Sequence, residues 1–422
     1  MMHSVKRRGL SLAGALALVL ALSGAAAAET LHVQMILFWD AYQYVLNELV
    51  PKFEEQYGVE VHFERVTWGN REEKLILNTI AGTPPDVFMN GAQHLIELLD
   101  AGLLAPLDPY LADWDGLFDY NPVTLENSAH DGVQYGLPLY TDPRIFWYRA
   151  DFFQEVGLDP DRPPQDWDQL LEAARKLTVT DGAVVTRMGY DLTRWTDGAS
   201  SAAQDFVVFL WQNGGEFIDP VTFMPRFHER EGVETMTFLR DLMTTVRPPG
   251  HTVDPGQGSG SPIVRGTAAM NLNIGGVVAE AYRADERVAA ELRAIVPPPG
   301  HKEPASVTFT NWLAIHADSD KKDLAWEFIK FISEPQHLLE INLYLGYISP
   351  LRSTIIDFVR EQPESRYIYE TLNYARPYPV FPNTSVVAKA FDPHYFKILA
   401  GEIAPDIGLA EAARLWEVEM RQ

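Results

Sequence analysis

Aromatic residues that stand beside short polar residues are the part of this sequence best suited to chemistry. Three such pairs are Trp39 with Asp40, Tyr140 with Asp142, and Trp312 with Asn311. A flat apolar ring stacks on the CH-rich face of a sugar, and carboxylate or amide groups hydrogen-bond to its hydroxyls. The same rings also suit a hydrophobic core, and for Trp39 and Trp312 both interpretations stay open. The pattern therefore favours binding of a small polar ligand.

Short motifs of the common enzyme chemistries are missing from the sequence. Glycine is never followed by lysine, which excludes a P-loop, and there is no cysteine to act as a nucleophile. His228-Glu229 lacks the second histidine of a zinc helix, and no strand pattern precedes the glycines at 256, 258 and 260. We predict no catalytic residue, no metal site and no cofactor. A secreted glycoside-active enzyme stays an alternative, because spacing cannot identify a carboxylate pair among 58 acidic residues.

Alternating strand and helix patterns must position the aromatic and polar residues. The expected strands cover 31–38, 59–64 and 85–89, and the expected helices cover 42–57 up to Gly58, 70–82 with an Asn70–Glu73 cap, and 93–101. This alternation predicts a mostly parallel sheet that is covered on both faces. Ligands bind beyond the carboxyl ends of such strands, and Trp39-Asp40, Met89-Asn90 and residues 139–142 fall there.

The second half of the chain repeats this alternation. Asp166 is expected to cap a helix over 167–177. Further helices are expected over 206–211, 233–243, 277–292 and 322–333, and a Pro- and Gly-rich surface loop over 247–262. Trp167 and Trp211 lie in apolar helices, so we predict that both are core residues.

The first 28 residues have the pattern of a signal peptide. Basic residues at 6–8 precede an apolar run over 10–22 and small residues at 25–28, so we expect cleavage near Ala28. The run is shorter than the ~20 residues of a membrane-spanning helix. Because no cysteine is available for a lipid anchor, we expect a soluble periplasmic protein. The remainder is long enough for about two domains.

The charge balance restricts the partners. The chain has 34 Lys and Arg against 58 Asp and Glu, a formal net charge of −24. Such a surface repels phosphate backbones, so nucleic acid and anionic membranes are poor partners. With 46% hydrophobic residues, the composition is that of a globular protein.

A series of short motifs runs along most of the chain. They are AGTPPDV at 81–87, LDAGLLAPLD at 99–108, DGVQYGLP at 131–138, WYRADFF at 147–153, GLD at 157–159, PPQDWDQL at 163–170, GTAAM at 266–270, AWEFIKF at 325–331 and GYISP at 346–350. In this order they resemble the family 1 extracellular solute-binding proteins, which include maltose- and glycerol-phosphate-binding proteins. Arg149, Asp166 and Ser349 depart from the usual residues of that family, and all three are compatible with the fold.

The resemblance implies an α/β fold of two lobes, the type II periplasmic-binding-protein fold, joined by a hinge with three crossovers. We expect the crossovers near 140–142, 310–311 and 347–350. The N-terminal lobe would comprise 29–140 plus 311–347, and the C-terminal lobe 141–310 plus 348–422. The family also implies a monomer that closes on its ligand and docks on the permease of an ABC importer. A receptor that presents its ligand to a chemosensor is an alternative that the sequence cannot separate.

The glycerol-phosphate-binding branch of the family gives the expected positions of the ligand site. Together with Trp39 and Asp40, the positions that match its pattern are Arg71, Asn90, Tyr140, Asp142, Trp195, Gly275, Gly276, Asn311, Trp312 and Tyr347. We expect Asn311 and Trp312 to line the cleft at the second crossover, with Trp312 stacked on the ligand. Two or three positions differ in residue type, so the branch's ligand does not carry over. A sugar or oligosaccharide is the expected ligand; a glycerol phosphodiester or another small polar solute is the alternative.

Overall fold

The computed structural model describes residues 29–192, 201–254, 256 and 260–420. The strands in these ranges are β1 Thr30–Ile36, β2 Glu60–Val66, β3 Val87–Gly91, β4 Ala129–His130, β5 Val133–Gln134, β6 Leu137–Pro143, β7 Ile145–Arg149, β8 Val179–Asp181, β9 Val184–Arg187, β10 Thr252–Val253, β11 Met270–Asn273, β12 Leu292–Ala294, β13 Ser306–Ile315 and β14 Ala375–Pro377. The helices are α1 Trp39–Tyr44, α2 Val50–Tyr57, α3 Arg71–Ile80, α4 Leu95–Asp100, α5 Asp108–Leu111, α6 Pro122–Glu126, α7 Ala150–Glu155, α8 Trp167–Leu177, α9 Ser201–Gln212, α10 Arg230–Val246, α11 Pro262–Arg265, α12 Val277–Ala284, α13 Glu286–Glu291, α14 Lys322–Ile332, α15 Pro335–Leu345, α16 Ile355–Glu361, α17 Arg366–Leu372, α18 Asp392–Leu399 and α19 Pro405–Glu419.

Local signals at helix ends explain most of these boundaries. A π-helical turn joins α1 to α2, and Gly58 ends α2 with φ +68°, as the sequence predicts. Asp166 caps α8, since its Oδ1 accepts from the Gln169 amide at 2.8 Å. The expected Asn70 cap is wrong, because Asn70 Oδ1 instead accepts from the Thr67 amide at 2.8 Å. The helix expected over 277–292 is interrupted at Asp285, whose extended backbone ends α12 and whose side chain caps α13.

A six-stranded sheet is the largest sheet in the described residues. Its order is β14-β13-β3-β1-β2, and β6 also pairs with β13. The β1–β2, β1–β3 and β13–β14 pairs are parallel, as expected for strands separated by helices. The prediction of a mostly parallel sheet needs correction at β13, which is antiparallel to β3 and to β6. β13 runs from Val307 in one hydrophobic core to Ile315 in the other, and its direction is opposite to that of β3 and of β6.

Two large hydrophobic cores define two lobes. The first core takes residues from 31–140 and from 313–351, including Phe53 and Phe328. The second core takes residues from 146–309 and from 378–416, including Trp167 and Trp211, which confirms that these two tryptophans are core residues. Each core therefore uses separated parts of the chain. Among the described residues, no helix is both long and apolar enough to cross a membrane.

Candidate functional site: the hinge crevice

The two lobes are joined by paired strands that run from one core into the other. On β6, Leu137 and Leu139 belong to the first core, and on β13 Val307 and Phe309 belong to the second. The pairing brings Asn311 opposite Tyr140. Backbone groups of buried strands must be hydrogen-bonded, and this ladder satisfies them across the hinge. Side chains at these positions therefore lie between the lobes.

A third segment of chain joins the hinge at Tyr347. Thr141 and Ile348 exchange two backbone hydrogen bonds of 2.9 and 3.1 Å, which places Tyr347 beside β6. The rings of Tyr140 and Tyr347 lie against each other with centroids 4.6 Å apart and an angle of 30°. Burial raises the pKa of both phenols well above the usual value, so both stay protonated at neutral pH. Both side chains are buried, 2% and 4% exposed, so the pair forms an apolar floor beneath the junction of the lobes and keeps two hydroxyl groups.

A buried ion pair stands next to this floor. Asp142 Oδ2 accepts from Arg144 Nη1 at 2.6 Å, and Asp142 Oδ1 accepts from the Gly275 amide at 3.2 Å. Burial raises the pKa of Asp142, although the Arg144 guanidinium and the Gly275 amide oppose this shift. The guanidinium also lies over the Phe309 ring at 4.5 Å. The carboxylate thus ties β6 to the turn that precedes α12.

The two glycines of that turn are required by close backbone contact. A Cβ on Gly275 would lie 2.7 Å from the Gly346 carbonyl oxygen, and one on Gly276 would lie 2.8 Å from the Leu345 carbonyl oxygen. The turn therefore packs directly on the end of α15. The sequence assigned these glycines to ligand contact; the structure gives them this packing role, and any ligand contact stays a prediction.

Gly275→Ala should test this close approach. The added methyl group has no room against backbone, so we expect a loss of about 1–3 kcal/mol in the free energy of unfolding, the usual scale for overpacking. Urea denaturation gives the value. Gly58→Ala is the comparison, since Gly58 has a left-handed backbone but open space around its Cβ position. A Gly275→Ala variant as stable as the wild type would contradict the packing role.

Arg71 and Asn90 lie where β3 ends. Arg71 Nε donates to Asn90 Oδ1 at 3.2 Å, and the Gly91 amide donates to the same oxygen at 2.8 Å. With its oxygen occupied, Asn90 has a buried Nδ2 donor that no described group accepts. Asn311 Oδ1 is a buried acceptor without a described donor. Buried polar groups normally find partners, and Asn311, which is paired with Tyr140, is the candidate for ligand contact. Asn90 is paired with Trp312 and therefore lies on the opposite face of the sheet.

Trp312 lies in a hydrophobic core and not in the ligand cleft, where the sequence analysis expects it. Its side chain is 0% exposed and packs in a cluster of the first lobe with Leu75, Phe88, Leu95, Leu98, Leu103, Leu104 and Ala314. Successive residues of a strand face opposite sides of the sheet, so Trp312 faces α3 and α4 while Asn311 faces Tyr140. The expected stacking of Trp312 on a ligand is therefore corrected to a core role.

The remaining predicted residues lie at the lobe edges or outside the described parts. Asp40 Oδ2 pairs with Arg283 Nε of α12 at 3.0 Å, and both side chains are partly exposed. Trp39 begins α1, but its side chain, like all of Trp195, lies outside the described residues. The sequence reasoning missed Phe38, whose ring is 6.2 Å from that of Tyr347 and 44% exposed. Its position at the end of the predicted strand 31–38 could have found it.

A separate cavity of about 190 Å³ lies on the other face of β13. Its polar lining includes Gln93, Asn127, His130, Thr310 and Tyr378. Because Thr310 alternates with Asn311, this cavity and the Tyr140–Tyr347 floor are on opposite faces of the hinge strands. Its volume is below the roughly 300 Å³ of typical small-molecule sites. The sequence-predicted positions Tyr140, Asn311 and Tyr347 lie together on the other face, so we place the candidate site at the floor and name it the hinge crevice.

Similar proteins agree with this architecture. A maltotriose-binding protein of Pyrococcus abyssi is 25% identical over 335 residues, which are 76% of this chain and 68% of that protein. The sn-glycerol-3-phosphate-binding periplasmic protein of Escherichia coli K12 is 23% identical over 376 residues, 83% of this chain and 81% of that protein. The curated relatives that are 34% identical to this chain match it over 138 residues, so the chain spans about a third of their length.

A solved structure shares the fold. The ABC transporter solute-binding protein of Thermotoga lettingae, bound with α-D-tagatose, superposes with a TM-score of 0.79 at 22% identity and covers 93% of this chain and 100% of its own. This likeness confirms the predicted two-lobe, type II α/β fold. The sequence profile described as bacterial extracellular solute-binding protein matches residues 40–337, well over half of the chain. The chain therefore belongs to the bacterial extracellular solute-binding proteins.

Proposed function

We propose that this protein is the substrate-binding component of an ABC importer and captures a saccharide in the hinge crevice. The observation that carries the proposal is the paired Tyr140 and Tyr347 floor at the junction of the lobes. The Asn311 amide, whose Oδ1 has no described partner, adds an acceptor on the same face of the hinge strands. A sugar ring has an apolar face for the first and hydroxyls for the second.

The balance of charge around the crevice supports a neutral ligand. Arg71 pairs with Glu72 at 2.7 Å, and Arg144 pairs with Asp142 at 2.6 Å. Arg283, at the edge, pairs with Asp40. A phosphate group would need a cation that is not already neutralised, and these three arginines of the described structure are paired, which favours a sugar over a glycerol phosphodiester. The ligands in the names of the Pyrococcus and Thermotoga proteins also favour a sugar.

Sugar binding should raise the melting temperature. A ligand that binds only the native state stabilises it by RT ln(1 + [L]/Kd), about 2.7 kcal/mol at a hundredfold excess over Kd. We expect at least one neutral mono- or oligosaccharide, from a panel that includes D-tagatose and maltotriose, to give a clear shift in differential scanning fluorimetry. Mannitol at equal concentration controls for general osmolyte effects.

Two other results would change the proposal. A shift with glycerol phosphodiesters and none with any sugar would identify the alternative ligand class. Conversion of a bound sugar to a new product would indicate the secreted glycoside-active enzyme. We expect mass spectrometry to return the sugar unaltered at one molecule per protein.

The proposal extends to export and assembly. We propose that the protein acts in the periplasm as a monomer after residues 1–28 are removed, and that its closed form docks on the permease. We also keep the lobe limits as a proposal: 29–140 plus 311–347, and 141–310 plus 348–422.

A further inference from the structure

Thr384 makes a contact between the lobes outside the hinge strands. It lies between Phe381 and Val386, which both belong to the second core. Its Oγ1 is 2.9 Å from Glu97 Oε2 and 3.2 Å from His94 Nδ1. These two residues flank Leu95, in the core under α4 of the first lobe. One hydroxyl of the second lobe is thus inserted between two polar groups of the first.

The direction of each hydrogen bond follows from Arg71. A guanidinium can only donate, and Arg71 Nη2 lies 2.5 Å from His94 Nε2, so this nitrogen accepts. The neutral imidazole then has its proton on Nδ1, which faces Thr384 Oγ1 and Glu72 Oε1, the latter at 3.0 Å. The single Nδ1 proton lies closer to the Glu72 carboxylate than to Thr384, and Thr384 donates its own proton to Glu97 Oε2.

The same residues also suggest a metal site, which Arg71 argues against. Glu72, His94 and Glu97 are of ligand type, and one atom from each lies within 4.8 Å of the others. A metal on His94 Nδ1 would displace the proton to Nε2. That N–H would then point at the Arg71 guanidinium, donor against donor. The hydrogen-bonded arrangement has no such conflict.

We propose that Thr384 is a latch that holds the second lobe against the first when the crevice is closed. Arg71 connects the latch to the end of β3, because the guanidinium that fixes the tautomer of His94 also donates to Asn90 Oδ1. Closing on Thr384 and the position of β3 beside the hinge strand β13 are thus coupled through one side chain. The role in ligand capture rests on the proposed function; the role in closure does not.

The other contact beside the crevice is a weaker candidate. Asp40 and Arg283 are 40% and 47% exposed, and exposed ion pairs are screened by water and salt. The latch is better protected on its histidine side, since His94 is 9% exposed, while the Glu97 side chain is 35% exposed. Hydrogen bonds shielded from water contribute more to holding two surfaces together.

Distance measurements in the absence of ligand test the latch directly. The chain has no cysteine, so spin labels on Glu55→Cys in α2 and Asp168→Cys in α8, both exposed, report the separation of the lobes without background. Thr384→Val keeps the shape of the side chain but removes the hydroxyl. Loss of the hydrogen bond to Glu97 and of the polar contact with His94 should lower the ratio of closed to open molecules by about five- to tenfold.

Two controls make the result specific. Thr384→Ser keeps a hydroxyl and should stay close to the wild-type ratio. Ser385→Ala removes the adjacent exposed hydroxyl, which bonds only within its own loop to Asn383 Oδ1, and should change nothing. A distance distribution for Thr384→Val that equals that of the wild type would overturn the latch. An equal shift in Ser385→Ala would overturn it too, because the effect would then belong to the loop.

A second variant tests the latch by changing Glu97, the partner of Thr384 in the first lobe. Glu97→Ala should shift the ratio in the same direction, and combining it with Thr384→Val should add little, since both remove the same contact. Fully additive shifts would contradict the contact. If the latch shifts appear but no sugar changes the melting temperature, the latch stands and the proposed ligand fails. If a sugar raises the melting temperature but the label distances in Thr384→Val equal those of the wild type, the proposed function stands and only the latch is contradicted.

Discussion

Replacing Trp312 by alanine is expected to lower the free energy of unfolding by about 3–5 kcal/mol, the usual cost of emptying a core tryptophan site. The side chain is 0% exposed and lies among the apolar residues that support α3 and α4. Its indole nitrogen has no hydrogen-bond partner in the described structure, so the loss comes from packing. Ligand affinity should change little, because the ring does not face the hinge crevice.

Urea denaturation followed by circular dichroism measures this loss, and titration with a sugar that shifts the melting temperature measures affinity. Gly136 provides a matched control, because a Cβ there would lie 2.6 Å from the Trp312 ring. Gly136→Ala alone should destabilise the protein, whereas in the Trp312→Ala background it should be tolerated, since the ring is gone. A Trp312→Ala variant of normal stability that binds sugar tenfold more weakly would restore the stacking interpretation.

Local chemistry explains why much of the fold could be predicted. The strand before Trp39, the helix that ends at Gly58 and the cap at Asp166 all depend on residues within one or two turns of each other. Hydrophobic periodicity and capping residues carry that information. Asn90, predicted at a strand end, lies beside the hinge strand β13, because parallel strands end at one edge of a sheet; its contact with a ligand stays a prediction.

Which face of a strand a residue occupies could not be predicted in the same way. Asn311 and Trp312 are adjacent in sequence, and the pairing of β13 with β6 shifts register between them. That irregularity decides which of the two meets Tyr140 and which meets α4. A register shift depends on the partner strand, which lies about 170 positions away in sequence for β6. The residues around Trp312 in the sequence do not indicate this register shift.

Contacts between distant segments were also beyond the sequence. Thr384 and His94 are 290 residues apart, and neither has an unusual neighbour in the chain. The family resemblance implied that Gly275 contacts the ligand. In the structure, a side chain at this position would collide with the Gly346 carbonyl oxygen. A short motif can place a residue in the right region; only packing decides what that residue touches.

Replacing Arg144 by methionine is expected to be the other severe change. Asp142 and Arg144 are 5% and 9% exposed, and their closest atoms are 2.6 Å apart. Methionine retains the apolar part of the side chain but removes the charged guanidinium, which lies over the Phe309 ring. Breaking a buried ion pair from one side costs about 3–5 kcal/mol, because the other charge is left without compensation. Only the Gly275 amide would still stabilise the carboxylate.

The loss in Arg144→Met should depend on pH in a definite direction. Burial already raises the pKa of Asp142 above its ordinary value of 3.8, and without the guanidinium the pKa should rise further. Between the ordinary and the raised pKa the folded protein binds more protons than the unfolded chain, so stability falls as pH increases. Arg144→Met should thus be closest to the wild type near pH 4 and show its full loss in the free energy of unfolding above the raised pKa.

Urea midpoints from pH 4 to 8 measure this dependence. Arg187→Met is the control: its partner Glu155 is 55% exposed and stays solvated, and since Arg187 only lowers the pKa of Glu155, the deficit of this variant should be constant above the ordinary carboxylate range. A deficit in Arg144→Met that stays constant across this range would show that the lost stability comes from packing and not from the unpaired charge of Asp142.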